Sequence, residues 1–160
     1  MATTNTVAVL MPYANEPPAS NYATLDVRNA QPCLDFDPAT DESAIWSFVV
    51  PSHYAAGGFT LILHWAFTTD TMNQAYIEAS VERGTTDKDA DSFATVSHGA
   101  AGANGTSGIE TKQTLVIANM DSIVAGDHVR LKISRDANAT NGVDIATGDA
   151  ELFAVEVRET

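Results

Sequence analysis

The feature that most constrains this chain is a strict two-residue alternation in its C-terminal third. Val129, Leu131 and Ile133 interleave with Arg130, Lys132 and Ser134. Phe153, Val155 and Val157 oppose Ala154, Glu156 and Arg158 in the same way. Each run follows a Gly-Asp pair, at Gly126 and at Gly148. Successive side chains of a strand point to opposite faces, so this pattern predicts half-buried strands of an antiparallel sheet.

Upstream segments read similarly. Val7–Met11 is a strand candidate followed by Pro12, Pro17 and Pro18, which favour extended chain. Thr24–Val27, Pro32–Phe36 and Ile45–Val50 are short candidates, the last stopped by Pro51. Phe59–Phe67 is apolar on both faces and predicts a central strand covered on both sides. Ala75–Arg83 alternates cleanly, and Thr114–Ala118 follows it. Asn141-Gly142 is a turn signal between the last two strands. Strands this numerous, with no amphipathic helical segment, predict an all-β antiparallel β-sandwich, jelly-roll-like. Residues 1–21 are read as an N-terminal extended arm and 22–160 as the jelly-roll domain.

A length of 160 residues suits one domain with its own core. The formal net charge of −13 repels phosphate backbones, so nucleic acid is excluded as a partner. No apolar run is long enough to cross a bilayer, so a membrane is excluded too. The N-terminus lacks the basic and apolar regions of a signal peptide, and Cys33 is the single cysteine. Synthesis in a reducing cytoplasm and a fold without disulfides are expected. Cys33 reads as a small buried hydrophobe.

Chemical motifs are sparse. Asp87–Asp91 has alternating oxygen ligands, but Ser92 and His98 stand where a calcium loop needs glycine and a bidentate acid. It reads as an acidic surface loop, and no metal or cofactor is expected. The glycine-spaced stretch Ser97–Gly108 reads as a flexible surface loop able to settle against a neighbouring subunit. His53, His64, His98 and His128 lack zinc-site spacing, and His64 reads as a hydrogen-bonded core or interface residue. Carboxylate pairs such as Asp35 and Asp37, or Glu151 and Glu156, have the residue types of a glycosidase. Their ordinary role is solvated charge, and no catalytic residue is assigned.

Leu25-Asp-Val-Arg-Asn29, Pro32-Cys-Leu-Asp-Phe-Asp37, the Ile45–Trp65 segment and the Gly148–Glu159 ending together resemble a group of tailed-bacteriophage virion proteins. Members resemble jelly-roll head-decoration, or cement, proteins that assemble as trimers on the capsid exterior. The resemblance implies a non-enzymatic virion protein made in the host bacterial cytoplasm. It would be a homotrimer that binds the major capsid protein and stabilises the shell. Val7, Val9, Leu10, Met11 and Tyr13 of the arm are the expected capsid or subunit contacts, although the same segment could pair as an edge strand within its own subunit. The rival from another class is a receptor- or carbohydrate-binding module of a phage tail or head fibre. Such sites display exposed aromatics on which a sugar ring stacks. Trp46 and Trp65 lie in apolar strands and read as core, which leaves Tyr13, Tyr22, Tyr54 and Tyr76.

Overall fold

In the computed structural model, which describes residues 5–84 and 88–160, ten strands form two antiparallel sheets. They are β1 Thr6–Leu10, β2 Thr24–Arg28, β3 Gln31–Phe36, β4 Ser43–Val49, β5 Phe59–Phe67, β6 Gln74–Arg83, β7 Ser97–Gly102, β8 Thr111–Val116, β9 His128–Arg135 and β10 Ala150–Glu159. The larger sheet runs β2-β3-β10-β5-β8, with β1 also on β10, and the smaller runs β4-β9-β6-β7. This is the jelly-roll-like sandwich that the alternation predicts. Val129, Leu131 and Ile133 are fully buried, and they join Phe36, Leu61, Leu63, Trp65, Val155 and Val157 in one core.

β10 organises the larger sheet. It pairs with β5 along nearly all its length, with β3 at Ala150–Leu152 and with β1 at Val155–Arg158. The N-terminal segment is therefore part of the sandwich and not a free arm. After β1 the chain crosses to the smaller sheet, where Trp46 Nε1 donates to Met11 O at 3.0 Å. There Glu16 N also donates to Ile45 O at 2.7 Å. Pairing gives β1 backbone bonds that a detached arm would have to find on a partner. Of the expected contact residues, Leu10 is buried and Val7 half-buried, while Val9, Met11 and Tyr13 are exposed.

Four expectations are corrected. β5 is central, between β10 and β8, but only its Phe59, Leu61, Leu63, Trp65 and Phe67 face is in the core. Thr60, Ile62 and His64 are half-exposed, because among the described residues no further layer covers the outer side. Half of the supposed loop Ser97–Gly108 is strand β7, whose small residues lie against β6. The strand read at Thr114–Ala118 is β8, three residues earlier at its start. Phe153, expected inside, is half-buried on the outer face.

One charged side chain is wholly buried among the strands. Arg135 ends β9, and its guanidinium meets both carboxylate oxygens of Asp144 at 2.8 Å. It also donates to Phe36 O, Gly148 O and Ala146 O at 2.8–3.0 Å. Asp144 accepts Tyr76 N as well, at 2.9 Å. Removing one partner of a buried, satisfied pair leaves the other charge unpaired, at a cost of about 3–5 kcal/mol. Asp144→Ala is expected to destabilise by that amount in urea unfolding. Arg135→Met, which removes the cation itself, should cost less than Asp144→Ala.

Candidate functional site

The outer face of the larger sheet carries the chemistry. Leu34, Leu61, Leu63, Val155 and Val157 point into the core, so the residues between them point out: Cys33 and Asp35 on β3, Ile62 and His64 on β5, Glu156 and Arg158 on β10. Between Leu152 and Ala154 the β10–β5 register slips by one residue. Such a bulge inserts an unpaired residue and re-aims its side chain. Ala150 and Leu152 reach the core before it and Val155 and Val157 after it, and Phe153 is left on the surface.

Phe153 lines a cavity of about 270 Å³ together with Arg28, Asn29, Gln31, Ala66, Gly108 and Glu110. Three local features shape it. Asn29 and Ala30 have φ of 47° and 64°, a two-residue hairpin turn of the mirror-image type that matches strand twist and brings Arg28 opposite Gln31. Gly108, at φ +74°, lies so close to Arg28 that an added Cβ would sit 2.8 Å from Cζ. Its N–H and the Ser107 hydroxyl both donate to Phe67 O, at 3.0 and 3.2 Å, which fixes this wall. Arg28 itself is ion-paired with Glu151 and donates to Phe67 O at 3.3 Å. Across the face, His64 Nδ1 is 2.9 Å from Glu110 Oε1. The result is an aromatic ring on a small apolar floor, rimmed by amide, guanidinium and carboxylate groups.

Acidic groups crowd the adjoining end of the face. Thr24, Asp35, Asp37, Glu42 and Asp149 line a second cavity of about 250 Å³. Burial, followed by the Glu151 and Asp26 carboxylates, pushes Asp35 up to about 6. Burial also raises the Cys33 thiol to about 12, with Asp35 and Glu151 adding to it. Glu156, by contrast, is held at about 2 by its bonds from Arg158 and Thr6. Cys33, Asp35 and Glu151 offer ligand atoms within 4.8 Å of one another. A metal needs the thiolate, whereas here burial holds the thiol protonated against Asp35, and Arg28 engages Glu151.

The sequence pairs Asp35 with Asp37 and Glu151 with Glu156, whereas the fold joins Asp35 and Glu151 across β3 and β10. Asp87 of the acidic loop lies outside the described residues, and Asp91 pairs with Arg130. His64 is hydrogen-bonded as expected, but on the outer face and not in the core. Trp46 and Trp65 are core residues as expected, and Tyr54 is buried too. Tyr13 and Tyr22 are exposed away from the cavity. The aromatic at the site is Phe153, which the alternation had assigned to the core. A signal for it was present: Leu152 and Val155 are three apart, so an unbroken strand could not bury both.

No family model matches the chain, and no curated protein matches it in sequence. Solved structures do share its fold. A family 35 carbohydrate-binding module from an environmental isolate superposes with a TM-score of 0.55 at 15% identity, covering 94% of this chain and 91% of that one. A xylan-binding module gives 0.53 at 10% identity, covering 96% and 97%. These likenesses support the two-sheet sandwich over 94% and 96% of the chain.

The raised Asp35 sets a direction of pH dependence. The folded state holds this proton more tightly than the unfolded chain, so the group's contribution to stability falls as pH rises from about 4 through about 6. Asp35→Asn is expected to melt above the parent protein at pH 7, and the gap should close by about pH 4. Thermal melts at the two pH values check it.

Proposed function

We propose that the chain is a non-enzymatic binding module that holds a neutral carbohydrate in the cavity beside Phe153. The observation that carries this reading is the lining of that cavity. A sugar ring presents C–H groups on its faces and hydroxyls around its edge. An aromatic face suits the first. Arg28, Asn29 and Gln31 as donors and Glu110 as an acceptor suit the second. At about 270 Å³ the cavity is near the lower limit for small-molecule pockets, which are roughly 300–1,000 Å³, and suits a single ring. The shared fold of two carbohydrate-binding modules supports the same class.

The non-enzymatic part rests on Asp35 and Glu151. Their closeness resembles the carboxylate pair of a retaining glycosidase, but Glu151 is only 3% exposed and lines neither cavity. A nucleophile must reach the ring carbon, and this one is covered and ion-paired.

The resemblance to virion proteins supplies a setting, in which the module would sit on a phage tail or head fibre and read a host-surface glycan. Shell decoration is the second reading. What favours it, besides the sequence blocks, is the apolar trio Val9, Met11 and Tyr13, at 59%, 46% and 69% exposure on the N-terminal strap. The purified chain should bind neutral oligosaccharides on a printed array. Phe153→Ala should weaken that binding about tenfold or more, a loss of about 1.4 kcal/mol or greater, with its melting temperature little changed. Failure to bind any neutral sugar, together with capture by undecorated phage shells, would replace this reading with the second.

A further inference from the structure

The sheet edges are not equally protected. Along β4, Ile45 N and O are taken by Asn15 and Glu16. β7 and β8 are closed at their ends by Ser97 Oγ accepting Ala118 N, and Gly99 lies against Gln113 and Leu115. β1 is broken by a register shift between Thr6 and Ala8. The β2 segment is tied only just before its start, where Ala23 N donates to Ser43 O at 3.0 Å, and from Leu25 onward it has none of these devices. Among the described residues no strand pairs on its far side, and it carries no bulge, lysine or proline.

The hairpin turn fixes which groups that edge presents. Arg28 and Gln31 flank a two-residue turn and so form a hydrogen-bonded pair, as do Asp26 with Cys33 and Thr24 with Asp35. The N–H and C=O groups of Leu25 and Val27 therefore point away from β3. Their side chains face the core side of the sheet, yet they are 48% and 50% exposed because the smaller sheet does not reach under them.

We propose that β2 pairs with β2 of a second copy, joining two larger sheets into one continuous sheet. The sequence selects the register. Centred on Val27, an antiparallel pair sets Val27 against Val27 and puts each Asp26 directly opposite the other copy's Arg28. These are the closely spaced positions of the ladder, where opposite charges stabilise. Arg28 keeps Nη1 on Glu151 and Phe67 O, and Nη2, with only a 3.4 Å contact to Ser107 Oγ, is the donor left for the seam. The competing register centred on Asp26 opposes two carboxylates and is disfavoured. Leu25 and Val27 of both copies then cover one another on the core side.

The two-fold axis of such a pair is perpendicular to the sheet and closes at two subunits, not the three the sequence resemblance implied. It turns both outer faces to the same side. The cavities, which begin at Arg28, Asn29 and Gln31 beside the seam, become neighbours and act as a bivalent surface. Bivalent sugar binding rests on the proposed carbohydrate reading, whereas the pairing itself does not.

Light scattering on the full chain at micromolar concentration tests the pairing without any ligand. A dimer is expected. Val27→Pro removes the N–H aimed at the partner and leaves the ladder to β3 intact, so a folded monomer by circular dichroism is expected. Asp26→Lys places a cation opposite Arg28 and should weaken the dimer at least tenfold. A parent chain that is monomeric or trimeric, or a Val27→Pro dimer of unchanged affinity, would overturn the proposal. Array binding by the Val27→Pro monomer separates the two ideas. A soluble single-site affinity equal to the parent's, with weaker retention on a sugar-coated surface, is the result expected of bivalency. Equal retention would overturn bivalency.

Discussion

The rest of the structure depends on where Arg135 puts its charge. It ends β9 in the smaller sheet, yet two of its bonds go to Phe36 O in the larger sheet and Gly148 O just before β10. The long connection 136–149 has no regular structure, and its backbone is tied to the sheets at a few points, with Ile145 N and Ala146 N on Gln74 O and Thr68 N on Asp149 O. The guanidinium adds the side-chain anchor, through Asp144, Ala146 and Gly148. A second carboxylate works alongside. Burial pushes Asp70 up, but bonds from Asn73, Thr147 and Met72 overcome this and leave it well below the usual carboxylate range. An ion pair of this kind does not add much net stability over a well-packed apolar replacement. It gives one connection path instead of many, and that path sets the register of β10.

Register matters because β10 serves three partners and also builds the site. Its first three residues pair with β3, and its last residues pair with β1 on the same side. The slip at Phe153 separates these two ladders. A β10 without the bulge would carry Phe153 inward or Val155 outward, and either core or cavity would be lost. The bulge thus reconciles two demands on one strand: continuous burial on one face and an aromatic ring on the other. Arg28, pinned by Glu151 of the same strand, is placed by the same register.

Much of this fold was legible because alternation is a local signal. β9 and β6 lie where their apolar phase put them, and the fully buried Val129, Leu131 and Ile133 follow from it directly. What escaped was set by contacts distant in sequence. β7, Ser-His-Gly-Ala-Ala-Gly, has almost no strand propensity, and it is a strand because β6 offers it a ladder. Arg135 falls in the inward phase of Val129, Leu131 and Ile133, but its charge disguised that burial, and the partner Asp144 comes from an irregular connection. The strap was ambiguous because its proline-rich composition fits docking on a partner or on its own sheets equally well. The cavity draws on β2, its turn, β3, β5, the 103–110 connection and β10, and no short motif contains that set. Only the broken phase between Leu152 and Val155 pointed to Phe153.

The charges around the cavity narrow what it can hold. The one guanidinium in the lining is already paired with Glu151, and Glu110 is hydrogen-bonded to His64. Beyond Glu151 lie Asp26 and Asp35, and Asp35 is raised partly because these carboxylates repel one another. An anionic ligand would enter a field that is negative locally and negative over the whole molecule, at a formal −13. A neutral polyol would avoid that penalty, since its hydroxyls would accept from Arg28 and Gln31 and donate to Glu110 without bringing charge. The selectivity that this arrangement would support is therefore mainly exclusion of anionic ligands. The fit of a ring over Phe153, and not an ion pair, would have to discriminate among sugars.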